Sequence, residues 1–213
     1  MKDLERRAYS FEVRAEERDN GAVITGRPIV YNSKTDLGYF DEVIELGALN
    51  SADLTDVRFL VNHNTDMIPL ARSRRNNGNS TMRLTPDLEG LSIEVNLDTE
   101  NNADAKALYS AVSRGDISGM SFMFSVEDDT WENLDTDHPT RHINSIASVV
   151  EVSAVTFPAY EATEINARSN EALESARSML ESVRRQRGDL LEKRADIDEL
   201  RLAKEKFKFK ANI

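Results

Sequence analysis

What chemistry this chain can attempt depends on its hydroxyls, imidazoles and carboxylates, because its 213 residues contain no cysteine. Thiolate catalysis, disulfides and Cys-ligated zinc are therefore excluded. Attack on a peptide bond by a hydroxyl needs a serine, a base to take its proton, a third group to orient that base, and donors for the oxyanion. The stretch "DISGMSFMFSV" (116–126) offers the hydroxyl. Read as a strand, it points Ser118, Met120, Phe122, Phe124 and Val126 to one face, mostly apolar and suited to a core. Ile117, Gly119, Ser121, Met123 and Ser125 then share the other face. Ser121 is a small hydroxyl near a glycine that lets another backbone or a ligand come close. An ordinary half-exposed strand is the plainer alternative.

Three histidines are available as the base. His63, in "FLVNHNTDMIPLARS", follows an apolar strand and is surrounded by Asn62, Asn64, Thr65 and Asp66. An imidazole at the rim of a core, part buried and part wet, suits proton transfer near neutral pH. A surface histidine at a strand end is the alternative. His138 and His142 stand in "DTDHPTRHINS". Pro139 between them opposes the helix on which an i, i+4 pair would bind metal, so no metal site and no cofactor are expected. His142 could orient a base, with a solvent-facing role as its alternative. Glu151 interrupts the β-branched and small apolar run "VVEVSAVTF", where a carboxylate is costly unless paired or hydrogen-bonded. It could equally face solvent on a one-sided sheet, and Glu94 in "LSIEVNL" fits simple alternation with an exposed acid. These residues permit a hydrolase without establishing one.

The elements that must position them are mostly strands. "AYSFEVRAEE", "GAVITGRPIVYNS" and "DVRFLVNH" have strand character, the last with Val57, Phe59, Val61 and His63 on one face. "TMRLTPDLEGLSIEVNL" reads as a hairpin turning between Pro86 and Gly90. "NADAKALYSAVSRGD" is a helix with Ala105, Leu108 and Val112 in one stripe and Gly115 closing its end. An acidic loop, "EDDTWENLDTDHPT", precedes the last strand, and Trp131 within it reads as a local anchor. From about Asn166 the composition changes to strong helix formers with no proline. Leu173, Ala176, Leu180, Val183 and Leu190 recur at coiled-coil spacing, interrupted by Arg187 and Arg194, and a break is expected near Gly188. The tail is expected to self-associate into a homo-oligomer or to dock on a partner.

Residues 1–169 carry 16 Lys+Arg against 29 Asp+Glu, a net of −13, whereas residues 170–213 carry 11 against 9, a net of +2. So acidic a body repels nucleic acid, whose binding needs a clustered basic face. No run approaches the roughly 18 apolar residues of a membrane span. "MKDLERRAYSFEV" lacks the apolar core of a signal peptide, so an intracellular protein is expected.

Four segments in order resemble the prohead maturation serine proteases of tailed bacteriophages, a family similar in fold to herpesvirus assemblins. They are "FDEVIELGAL" (40–49), "FLVNHNTDMIPLARS" (59–73), "GDISGMSFMFSV" (115–126) and "VVEVSAVTFPAY" (149–160). The resemblance covers roughly residues 8–162. It implies a base at His63, a nucleophile at Ser121 and a third member at Glu151, with Ser118 as the rival nucleophile and His142 as the rival third member. It further implies a mainly β member of the α/β class: an antiparallel β-barrel with a few flanking helices as a protease domain (1–165), then a helical, partly exposed C-terminal tail (166–213). The activity implied is endoproteolysis of scaffold and major capsid protein segments, and of the chain itself, inside the immature capsid in the host cytoplasm. The competing expectation is a non-catalytic capsid-assembly protein that uses the same barrel as a scaffold and the tail as its interaction helix.

Overall fold

The computed structural model describes residues 4–9, 13–18, 21–75, 78–156 and 167–211. A long hairpin is the spine of the fold. Its arms, here β10 (Gly119–Glu132) and β11 (Thr140–Val155), pair antiparallel over their whole length, with Ser121 opposite Ser153 and Met123 opposite Glu151. Half of the acidic segment expected to be a loop is strand instead, and the connection shrinks to residues 133–139. The acids are matched across the ladder: Arg141 Nε donates to Asp129 at 2.5 Å and Asn144 Nδ2 to Asp128 at 3.0 Å. Opposite charges and hydrogen-bonding pairs facing one another stabilise a ladder that acidic composition alone would oppose.

The hairpin carries other strands on both edges. On the free edge of β10 lies β1 (Glu5–Tyr9), antiparallel, with Ala8 opposite Ser121. The other edge of β11 takes two short parallel strands in succession, β5 (Asp41–Ile44) beside residues 140–143 and β6 (Arg58–Val61) beside residues 151–154. Two-residue strands finish this sheet, β4 (Thr35–Asp36) on β5 and β7 (Ala71–Arg72) on β6. A second, antiparallel sheet runs in the order β2 (Val13–Arg18), β3 (Gly21–Val30), β9 (Gly90–Leu97), β8 (Met82–Pro86). Its β8–β9 hairpin turns where the Pro-Asp-Gly chemistry predicts. Asp87 accepts from the backbone N–H groups of Glu89 and Gly90, and a Cβ on Gly90 would stand 1.9 Å from the Ile29 carbonyl oxygen.

The closed antiparallel barrel expected from the sequence does not form. Among the described residues no ladder joins the two sheets, and β5 and β6 run parallel to β11. Single backbone hydrogen bonds, such as the Thr81 N–H to the Arg72 carbonyl at 3.2 Å, link the ends of the two sheets, and a side-chain core joins the rest. Ile24, Ile29, Leu91 and Val95 from one sheet and Phe59, Phe122, Phe124 and Ile146 from the other share one core. Against it packs α1 (Ala103–Ser113), whose buried residues are the expected Ala105, Leu108 and Val112; Asn102 caps its start and Gly115, at φ 79°, follows its end.

The C-terminal helix α2 (Ala167–Ala211) is continuous through Gly188, where a break was expected. A lone glycine costs a helix only about 1 kcal/mol, and strong helix formers flank this one. Ala176 and Leu180 are buried against Phe40 and Leu134, and Trp131 meets Phe40 edge-on at 4.8 Å, a local anchor as expected. Farther along, Leu190, Leu191 and Ile197 are exposed. No helix among the described residues is long and apolar enough to cross a membrane.

Candidate active site

The hydroxyl arrives on β10. Gly119 to Ser125 are all buried, on both faces of the strand, which sets aside the alternative of an ordinary half-exposed strand. Met120, Phe122 and Phe124 fill the core. The opposite face is covered as well, leaving Ser121 only 1% exposed. Ser118 precedes the strand and is exposed. The carboxylate arrives on β11, where Glu151 is 4% exposed and shares a face with Ser153, two residues on.

The imidazole reaches them from a turn. Strand β6 ends at Val61, and Asn62 and His63 follow with φ of 51° and 56°, so His63 is not the strand residue the alternation suggests. Two successive non-glycine residues in the left-handed region cost of order 1–3 kcal/mol each, and such backbone persists only where its surroundings over-determine it. Here β11 supplies the restraint. The Asn62 N–H donates to the Ala154 carbonyl at 2.9 Å, and the Asn62 side chain accepts from the Thr156 N–H at 3.0 Å. The His63 N–H donates to Ser153 Oγ, also at 3.0 Å.

Held in this way, the ring bridges the two strands. His63 Nδ1 lies 2.7 Å from Glu151 Oε2, and His63 Nε2 lies 2.6 Å from Ser121 Oγ. The structure thus brings His63, Ser121 and Glu151 into one hydrogen-bonded chain and leaves Ser118 and His142 outside it. His142, nine residues before Glu151 on the same strand, pairs through Nδ1 with Glu45 at 2.6 Å. Ser121 Oγ also lies 2.7 Å from the Arg7 carbonyl on β1. The hydroxyl has one proton and two acceptors within reach. When it donates to Arg7, Nε2 must carry its own proton; when it donates to Nε2, the ring is a free base. Only the second arrangement prepares the serine oxygen for attack.

Two further polar clusters lie nearby. Glu42, on β5, is fully buried between guanidiniums: Arg7 at 2.5 and 2.7 Å and Arg141 at 3.1 Å. Burial works against its charge, but the two cations outweigh burial and hold the carboxyl below the usual range. Glu5 of β1 also binds Arg141, at 2.7 and 3.0 Å, so this cluster fastens β1 to the body. The carboxylates of Asp36 and Asp41 and the His138 ring place ligand atoms within 4.8 Å of one another, a geometry that could hold a cation. The Lys34 ammonium already contacts Asp41 at 2.7 Å and supplies the compensating charge.

A family described as caudovirus prohead serine protease matches residues 9–177, a span that contains His63, Ser121 and Glu151. The chain belongs to that family. As a member of the prohead serine proteases it is a serine peptidase whose work lies in phage head maturation. No curated protein sequence matches it. Among solved structures it is similar to the bacteriophage T4 capsid assembly protease, gp21, at 12% identity and a TM-score of 0.36, covering 72% of this chain and 99% of that one. A likeness that low transfers no residue role. The prohead-protease match leaves Arg7 outside it and ends at Arg177, early in α2.

Two features escaped the sequence reading. The spacing "EVS" places Ser153 on the face of Glu151, a usable signal. For the Arg7–Glu42–Arg141 cluster no comparable signal exists, because its partners stand 35 and 99 residues apart.

Proposed function

We propose that His63, Ser121 and Glu151 are the catalytic residues of this protease. His63 takes the proton of Ser121 as the hydroxyl oxygen attacks the carbonyl carbon of the scissile peptide. Glu151 holds the ring in the tautomer that leaves Nε2 free to accept, and balances the imidazolium that forms. The imidazolium then gives its proton to the leaving amine, and an acyl-enzyme remains for water to hydrolyse. The observation that carries this reading is the continuous relay from Glu151 Oε2 through the ring to Ser121 Oγ, with both contacts under 2.8 Å. The burial of Glu151 adds support, since a sheltered carboxylate holds a cation far more firmly than a solvated one.

The substrates we assign are scaffold and major capsid protein segments within the immature shell, together with peptide bonds of the chain itself. Residues 1–165 form the protease unit in this reading, and residues 166–213 an appended helical tail, through which a homo-oligomer would form. Family membership supports the maturation role; the change of composition near residue 166 supports the division.

The test is digestion of purified scaffold and capsid precursor by the unaltered chain, Ser121→Ala and Ser118→Ala. Cleavage lost by Ser121→Ala and kept by Ser118→Ala is the expected result. The reverse would refute the nucleophile assignment. Mass spectrometry of the protease recovered from heads would expose self-cleavage as new termini, and intact termini would remove that part of the proposal.

A further inference from the structure

Ser153 is fully buried, opposite Ser121 on the paired strand and beside Glu151 on its own. Its hydroxyl donates to Glu151 Oε1, the carboxylate oxygen turned away from the imidazole. Ser153 Oγ itself accepts the His63 backbone N–H at 3.0 Å. One small group therefore touches the acid through its side chain and the base through its main chain. We infer that Ser153 is a positioning residue for the peptidase reaction, locking the Glu151 carboxylate and the left-handed turn of His63 into one rigid unit. This inference rests on the triad reading above.

Neither neighbour is fully restrained without it. A carboxylate rotates readily about its last bond, and an ion pair to one ring nitrogen restrains only one of its oxygens. Ser153 restrains the other, so Oε2 stays on Nδ1. Arg58 stands next to Glu151 in the register of β6 and β11 but binds Asp56 at 3.3 and 3.4 Å, so it does not take that role. His63 needs an anchor of its own, because its backbone conformation is one that non-glycine residues rarely adopt. The hydroxyl supplies both restraints where no water competes. Alanine would leave a buried carboxylate oxygen and a part-buried N–H each short of a partner. It would also let the ring drift from Ser121 Oγ, and displacement by about 1 Å can cost about 100-fold in rate.

The test uses the full chain and a fluorophosphonate that phosphonylates the reactive serine, with the saturating rate and the half-saturation concentration measured separately. Ser153→Ala is expected to lower the saturating rate by about 10- to 100-fold with little change in half-saturation, and Ser153→Thr, which keeps the hydroxyl, to restore most of it. In a Glu151→Gln background the further loss on adding Ser153→Ala should be no more than about twofold, because residues acting through one another are not additive. A native rate for Ser153→Ala would overturn the inference, as would a loss of full size in the Glu151→Gln background or a change in half-saturation alone. The triad reading fails separately: labelling that survives Ser121→Ala would end it whatever Ser153 does.

Discussion

Two buried glutamates flank the two ends of β11, and they have opposite fates. Glu42, on the neighbouring β5, is 1% exposed and faces Arg7 and Arg141; Glu151, on β11 itself, is 4% exposed and faces His63 and Ser153. Burial is nearly equal. The difference lies in the partners. A guanidinium keeps its proton at any pH the protein meets, so Glu42 sits in a permanent ion cluster that can only hold β1 in place. An imidazole can gain and lose a proton, so in the proposed relay the same carboxylate chemistry would serve to move one. A buried acid within a sheet is thus a candidate for catalysis only where its partner is a group able to exchange a proton.

The sharpest way to break this comparison is to neutralise each acid in turn. Glu151→Gln keeps the shape but can turn a donor toward the ring, stabilising the wrong tautomer. A fall of about 10⁴-fold in kcat is expected, the size of effect known for this kind of substitution in Ser-His-acid enzymes, with little loss of thermal stability. Peptide hydrolysis measured beside circular dichroism checks both halves. Activity within tenfold of native would remove Glu151 from the relay.

Glu42→Gln should do the opposite, leaving the chemistry and striking the fold. Removing one member of a buried ionic cluster costs about 3–5 kcal/mol, because the remaining charges lose their compensation; Glu5 and Asp129 still face Arg141, which favours the lower end. The pH dependence has a definite sign. The folded-state pKa of Glu42 is depressed, so its contribution is fully present above the unfolded carboxylate value, about 4.3, and is lost as pH falls through the lower folded value. Urea unfolding of the native chain should therefore weaken steeply below about pH 4, and the glutamine variant should show a shallower slope there. Equal slopes would mean that Glu42 does not carry the acid sensitivity.

The two regions also differ in how far the sequence announces them. Ser121 and Glu151 stand out as candidates because strand alternation sets a hydroxyl near a glycine and a carboxylate inside a β-branched run, but only the family resemblance joins them in one site. The turn at His63 does not stand out. Phe59 and Leu60 are both buried although they point to opposite faces of β6, so two-residue periodicity is a poor guide there and carries the strand two residues too far. Asn62, a residue that tolerates the left-handed region, was the available warning. The expected barrel failed for a related reason: alternation identifies strands but not which edges pair, and the parallel placement of β5 and β6 depends on contacts about 90 residues apart or more. Glu42 was hidden because a buried ion cluster leaves no local pattern; within β5 it occupies an inward position that would ordinarily read as apolar.

The smallest expected effect sharpens the comparison at the turn, where Asn62 rather than a charge holds the chain that carries the proposed base. Asn62→Ala removes the acceptor for the Thr156 N–H and leaves a φ of 51° that alanine adopts reluctantly, a cost of about 1–2 kcal/mol. Asn62→Gly removes the same hydrogen bonds but accepts that φ freely, so it should cost less. If the pinning to Thr156 aims the imidazole, the two variants lose activity alike, by about tenfold, although they differ in stability. If backbone strain alone matters, glycine should work as well as asparagine. Thermal melts paired with fluorophosphonate labelling rates separate these outcomes, because the two explanations order the variants differently on the two measurements.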